Sequence, residues 1–310
     1  MLEGGTGTTL IEVAPSVPRW AVSLASDSSV AREIRLDGVG RSCVVETATG
    51  RGAALVSCCV ARANTLSADE LRRAVSGMFL AALDALRGTE GACPVRMWSF
   101  IPGIHDLMRD AGGGELERYE VFNVGRFEAF CEWYGGPGAF ASRLPAASAV
   151  GHSGDALSIY ALGTMTAGRA IDNPRQVPAY CYSRRYGSHP PCFARATVAR
   201  LSVGARLLVA GTASILGERS VHEGCLGTQL DESLENIGVL ARSVDGAHRF
   251  DLSGVETARV YYPRAADLGW LSARLPARLP ARASIEYTPA AVCRSELLVE
   301  IEATVAPVDS

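Results

Sequence analysis

One order of elements occurs twice along this chain. That restricts the fold more than any single motif does, because a long-period internal echo points to two copies of one supersecondary unit. In the second half, residues 207–215 read as a strand. Residues 224–244 read as a helix entered through a glycine-rich turn, with apolar Leu230, Leu234, Ile237 and Leu240 at helical spacing. A strand follows at 257–262, a helix at 265–275, and strands at 284–287 and 297–305. The first half runs the same way. It has a strand at 53–60, a helix from about 67 to 87 with Ser67 and Glu70 at capping-box spacing, a strand at 95–101, a helix at 120–133, and paired strands at 146–150 and 156–162. The expected fold is α+β, two α/β units with mixed sheets packed against helices, divided into residues 1–165 and 166–310. The competing reading is a chance recurrence of common elements.

At 310 residues, 48% hydrophobic and 20% charged, the chain has the composition of a soluble globular protein able to bury a substantial core. A formal net charge of −3 supplies no field that would draw nucleic acid or an anionic membrane, so neither is an expected partner. An anionic small molecule would have to be held by locally placed arginines. The first 20 residues show no basic, apolar-cored leader, and no apolar run reaches membrane-spanning length. Nine scattered cysteines without a C-x-x-C pair suit reduced thiols in a cytoplasmic protein, each by default a small buried apolar residue. Five isolated histidines argue against a metal site. The stretch Gly4-Gly5-Thr6-Gly7 lacks the preceding strand and the lysine of a phosphate loop. His152 and Asp155 lack the context of a serine nucleophile and read as a turn.

Near the C-terminus, alternation places Leu298, Glu300 and Glu302 on one strand face and Val299 and Ile301 on the other. The strand either faces solvent with two solvated carboxylates, or turns Glu300 into an enclosed space. There, desolvation would raise its pKa and make it a proton donor. A second segment, 173–196, gathers Arg175, Arg184, Arg185 and Arg195 with Tyr180, Tyr182 and Tyr186, among prolines that deny it regular helix. It is either an irregular connection held by cation–π contacts or the wall of a site for a planar dianion.

The second unit resembles the RidA (YjgF) family over roughly its last hundred residues, through Val209 to Thr212, Gln229 to Ile237, Pro280-Ala281-Arg282 and Leu298 to Ala303. That resemblance implies a substrate carboxylate at Arg282 and proton handling at Glu300. From about residue 50 onward the chain resembles the chorismatases of actinobacterial secondary metabolism. The residues that carry this are Asn173-Pro174-Arg175-Gln176, the 122–130 segment around Arg126, Gly151 to Asp155, and Gly211 to Glu218. The implied reaction removes the enolpyruvyl group of chorismate as pyruvate, with Glu300 as the acid and no metal or organic cofactor. Arg126, Arg184, Arg195 and Arg282 are the candidate carboxylate clamps, with Tyr180, Tyr182 and Tyr186 as hydrogen-bond donors. Cys293 and the strand Gly211-Thr212-Ala213 resemble the subgroup that forms 3-hydroxybenzoate, Ala213 being a departure if that subgroup needs glycine there. The alternative is a hydrolase releasing 3,4-dihydroxycyclohexa-1,5-diene carboxylate; further off stand an imine deaminase and a binding module. On this reading the first unit carries a degenerate site, Glu302 stays solvated, and the protein is a monomer or a RidA-like trimer serving a starter-unit step.

Overall fold

The computed structural model describes residues 16–109 and 112–308, so the Gly4 to Gly7 stretch lies outside the described residues. The chain begins with α1 (Arg19–Leu24), β1 (Ser28–Arg35), β2 (Ser42–Gly50), β3 (Ala53–Val60), α2 (Ala68–Gly88) and β4 (Cys93–Pro102). A small hairpin, β5 (Leu107–Arg109) and β6 (Glu115–Glu117), leads to α3 (Arg118–Tyr134), α4 (Phe140–Arg143), β7 (Ala146–His152) and β8 (Leu157–Thr164). The second part comprises β9 (Arg169–Ile171), β10 (Ala196–Leu201), β11 (Gly204–Ala213), the short hairpin β12 (Ile215–Leu216) and β13 (Arg219–Ser220), and α5 (Leu226–Arg242). It closes with β14 (Val255–Tyr262), α6 (Leu268–Arg274), β15 (Ser284–Pro289) and β16 (Glu300–Val305).

The two six-stranded sheets are built alike. The first has the order β1-β2-β3-β8-β4-β7 and the second, read from its other edge, β9-β10-β11-β16-β14-β15. In each, every neighbour is antiparallel except the last pair, β4 with β7 and β14 with β15. A strand–helix–strand crossover produces that parallel pair, and the chain then turns back into the middle of the sheet. This corrects one expectation: β7 and β8 do not pair with each other, because β8 enters between β3 and β4. Each unit also opens with two strands that the repeat in the sequence had not shown.

The helices form where their patterns say they should. Ser67 accepts from the Glu70 N–H, and the Glu70 carboxylate accepts from the Ser67 N–H at 2.9 Å, which closes the start of α2. Behind it Leu71, Val75, Met78 and Ala82 pack on the first sheet. Helix α5 presents Leu230, Leu234, Ile237 and Ala241 to the second sheet. The expected 265–275 helix is shorter, one seven-residue α-helix followed by a 3₁₀ turn from Leu275 to Arg278, where Pro276 cannot donate to a continuing helix. A third apolar cluster, including Trp98, Phe100, Leu162, Leu208 and Tyr261, lies between the two sheets. The order of layers is therefore helices, sheet, sheet, helices.

Prolines end two corresponding strands, Pro102 as the last residue of β4 and Pro263 directly after β14. Aligned on them, the partners of Phe100 and Trp98 in the first sheet are Ser158 and Tyr160. The partners of Tyr261 and Arg259 in the second are Glu300 and Glu302. The first unit has no carboxylate at either position.

Candidate active site

A cavity of about 310 Å³ opens where the two units meet, within the range of small-molecule sites. The first unit contributes Tyr119 and Arg126 of α3 and Ala147 to Ala149 of β7; the second contributes Gly211 and Ala213 of β11, Cys293 to Glu296, and Glu300 of β16. The connection between the units closes the remaining side with Tyr182, Arg185, Tyr186, Pro191, Phe193 and Arg195. That connection contains only two short 3₁₀ turns, as its prolines require, and it is strapped down by side chains. Arg175 pairs with Glu232 at 2.8 Å, Gln176 donates to the Ile215 carbonyl at 3.0 Å, and Ser183 donates to Glu218 through both its N–H and its hydroxyl. The Asn-Pro-Arg-Gln stretch and Glu218 are thus anchors of the wall, not ligands. Buried Gln229 does the same for the segment leading to β16, donating to the Glu296 carbonyl and accepting from the Leu298 N–H at 2.7 Å.

Glu300 reaches the cavity from the innermost strand and is 4% exposed. Its carboxyl has no hydrogen-bond donor among the described residues. Burial, reinforced by the charge of Glu302 and opposed by Arg96 and Arg195, pushes its pKa up to about 8. It is therefore a neutral acid at pH 7. Its carboxyl lies against the backbone of Gly211: a Cβ there would stand 1.9 Å from Oε1 and 2.6 Å from the carboxyl carbon. A side chain at 211 would therefore displace the Glu300 carboxyl from this position.

Opposite the acid lie two guanidinium groups without carboxylate partners among the described residues. Arg195, 4% exposed, donates to the Tyr182 hydroxyl at 2.6 Å and the Val177 carbonyl at 3.3 Å, and lies over Phe193. Arg126, 1% exposed, donates to Asn123 at 2.6 Å. Each leaves its Nε–H buried and unpaired, which is costly unless an anion arrives to accept it. Arg294, which the sequence reading passed over although it follows Cys293, stacks on Tyr186 with 3.9 Å to the ring centroid. Tyr119, also passed over, lies half-buried beside Cys293, Arg126 and Glu300; desolvation foremost raises its pKa, so it remains a hydroxyl donor. Burial, then the nearby Glu300, pushes Cys293 up to about 12, so it presents an S–H and not a thiolate.

Four expected ligands fall elsewhere. Tyr180 donates to Asp172 at 2.7 Å and packs on the first core. Arg184 is exposed, and the Thr212 hydroxyl donates to the Ala210 carbonyl at 2.9 Å on the strand's other side. Arg282 is exposed at the start of the edge strand β15, two strands from β16, and donates to the Ser253 carbonyl. Glu302 also departs from expectation. It is 4% exposed and bound by Arg96, Trp98 and Ser148, because both faces of β16 are covered, one by helices and one by the other sheet. Of the nine cysteines, all free, Cys181 and Cys225 are exposed instead of buried.

Comparison with known proteins places the chain. Residues 40–163 match the family model described as chorismatase FkbO/Hyg5-like, N-terminal. A chorismatase of Streptomyces hygroscopicus is 31% identical across 99% of this chain and 88% of its own length. A 3-hydroxybenzoate synthase of the same organism is 38% identical across 68% of this chain, a match that spans 62% of that protein. A crystal structure of a chorismatase superposes with a TM-score of 0.73 at 28% identity, covering 89% of this chain and 80% of the other. The chain belongs to the chorismatase family. No helix among the described residues is long and apolar enough to cross a membrane.

Proposed function

We propose that this cavity binds chorismate and that Glu300 protonates the terminal methylene of its enolpyruvyl ether, releasing pyruvate and 3-hydroxybenzoate. The observation that carries this is the buried, neutral Glu300 carboxyl facing two buried arginines that have no carboxylate of their own. Protonating the methylene creates a cation stabilised by the ether oxygen, a step that needs one acid of raised pKa. The two substrate carboxylates pair with Arg195 of the connecting segment and Arg126 of α3. The 3-hydroxybenzoate-forming relative supports the product. Forming it consumes no water: the atoms of chorismate divide between the two products, and the proton given by Glu300 is balanced by the one the ring loses on aromatising. The hydrolytic alternative takes up one water. On this reading the first unit, with Ser158 and Tyr160 in place of the two glutamates, is the degenerate one.

Three measurements bear on this. Incubation with chorismate is expected to give pyruvate and an aromatic ultraviolet spectrum, and neither product appearing would end the enzyme reading. Cys293→Ala makes room beside Glu300 for a water, so the ratio of 3-hydroxybenzoate to the diene product should fall; an unchanged ratio removes Cys293 from product control. Arg195→Ala should raise KM for chorismate by about 10- to 100-fold, the loss of one or two charge-assisted hydrogen bonds. It should also move the alkaline limb of the pH–rate profile upward, since Arg195 holds the Glu300 pKa down. A KM within twofold of wild type would place the carboxylate elsewhere.

A further inference from the structure

Three residues, Arg96, Glu302 and the cavity-wall Ser148, converge behind the acid. The Ser148 hydroxyl accepts from Arg96 Nη2 at 2.5 Å and from the Gly211 N–H at 3.0 Å, and donates to Glu302 Oε2 at 2.6 Å. One donor and two acceptors saturate a hydroxyl, so its geometry is fixed. Arg96 also pairs directly with Glu302 at 2.7 Å, and Trp98 Nε1 donates to the same carboxylate at 3.0 Å. Arg96 and Trp98 lie on β4 and Ser148 on β7, all in the first unit, whereas Gly211, Glu300 and Glu302 belong to the second. The chain Arg96–Ser148–Gly211 therefore holds in place the backbone on which the Glu300 carboxyl rests.

We propose that Arg96, Ser148 and Glu302 are positioning residues for the reaction proposed above, through which the first unit, itself without an acid, seats the Glu300 of the second. This rests on the assignment of Glu300 as the proton donor. Glu302 and Arg96 also act on Glu300 electrostatically, Glu302 raising and Arg96 lowering its pKa, while Arg195 from the connecting segment lowers it. The other titratable or charged groups near the pair are Cys293 and Tyr119 around Glu300, and Tyr261 and Arg259 of β14 around Glu302. None of these replaces the saturated hydroxyl link through Ser148.

The test is the pH profile of kcat/KM for chorismate in purified full-length variants, together with melting temperature. Glu302→Gln removes the charge that favours neutral Glu300 and leaves Arg96 uncompensated, so the alkaline limb should move down by about one pH unit or more. Ser148→Ala changes no charge. It should lower kcat by about tenfold with KM within twofold and the limb in place, because a looser seat costs alignment and not binding. A purely structural role predicts a lower melting temperature with kcat and limb unmoved in both variants, and that result overturns the proposal. If Glu302→Gln does not fold, Ser148→Ala decides alone: a wild-type kcat refutes the link. Glu300→Gln separates the two levels, since pyruvate release surviving that change would defeat the proton-donor assignment itself, whereas an inactive Glu300→Gln beside unaffected Glu302→Gln and Ser148→Ala defeats only the positioning role.

Discussion

Replacing Glu300 by glutamine is expected to lower pyruvate release from chorismate by about a thousandfold or more, and at the same time to make the protein more stable. The amide keeps the shape of the carboxylic acid and cannot give up the proton, so the full contribution of general acid catalysis, about 10² to 10⁴, is lost. The stability effect follows from the same burial. Glu300 titrates near 8 in the folded protein and near the ordinary 4.5 when unfolded. Between those values the folded state holds one proton that the unfolded state has released, so stability falls as pH rises from 4.5 to 8. At pH 7 the cost is on the order of 3 kcal/mol, which glutamine, neutral in both states, does not carry. Thermal unfolding at pH 5 and pH 7.5 should show the variant's advantage growing with pH. An equal melting temperature at both would mean that Glu300 is ionised in the folded protein, and the acid role would fall with it. The wild-type profile should fall above about pH 8 for the same reason.

Gly211→Ala should be nearly as damaging, with a loss in kcat of about a hundredfold. The added methyl would meet Glu300 Oε1 at 1.9 Å and the Ser148 hydroxyl at 3.0 Å, so the carboxyl must leave its seat. The carboxyl can give way only into the cavity, away from the Gly211 backbone, and a displacement of this size at a reacting group costs about 10² in rate. Backbone strain does not contribute, because Gly211 is not among the glycines with positive φ. Steady-state kinetics with chorismate, with binding of the substrate measured separately, separates this from a simple loss of the pocket. Wild-type kcat in Gly211→Ala would show that the acid does not rest on this backbone.

The extent to which the site was legible in the sequence depended on the range of the interaction. The capping box of α2, the period-two face of β16 that carries Glu300 and Glu302, and the proline-broken character of the 173–195 connection are local, set by neighbours within a few residues. Which of the two glutamates is tied down by other side chains was not local. Both share one strand face; Glu302 meets Arg96, Trp98 and Ser148 and becomes half of a bound pair, while Glu300, two residues earlier, meets the Gly211 backbone and the cavity, with no hydrogen-bond donor among the described residues. Arg282 lies away from the cavity because sheet order carries β15 to an edge, and Arg294 was missed because it reaches the cavity wall by stacking on a tyrosine more than a hundred residues earlier.

The sequence by itself determined the repeated order of strands and helices, the two-carboxylate strand and the supply of arginines and tyrosines, since these follow from periodicity and side-chain chemistry. Only the tertiary structure decided that the two sheets face each other. That packing places the first unit's Arg96, Trp98 and Ser148 against the second unit's β11 and β16. It leaves Glu300 buried at the wall of a cavity shared with Arg126 and Arg195, and the desolvation that raises its pKa exists only once both units have closed around it.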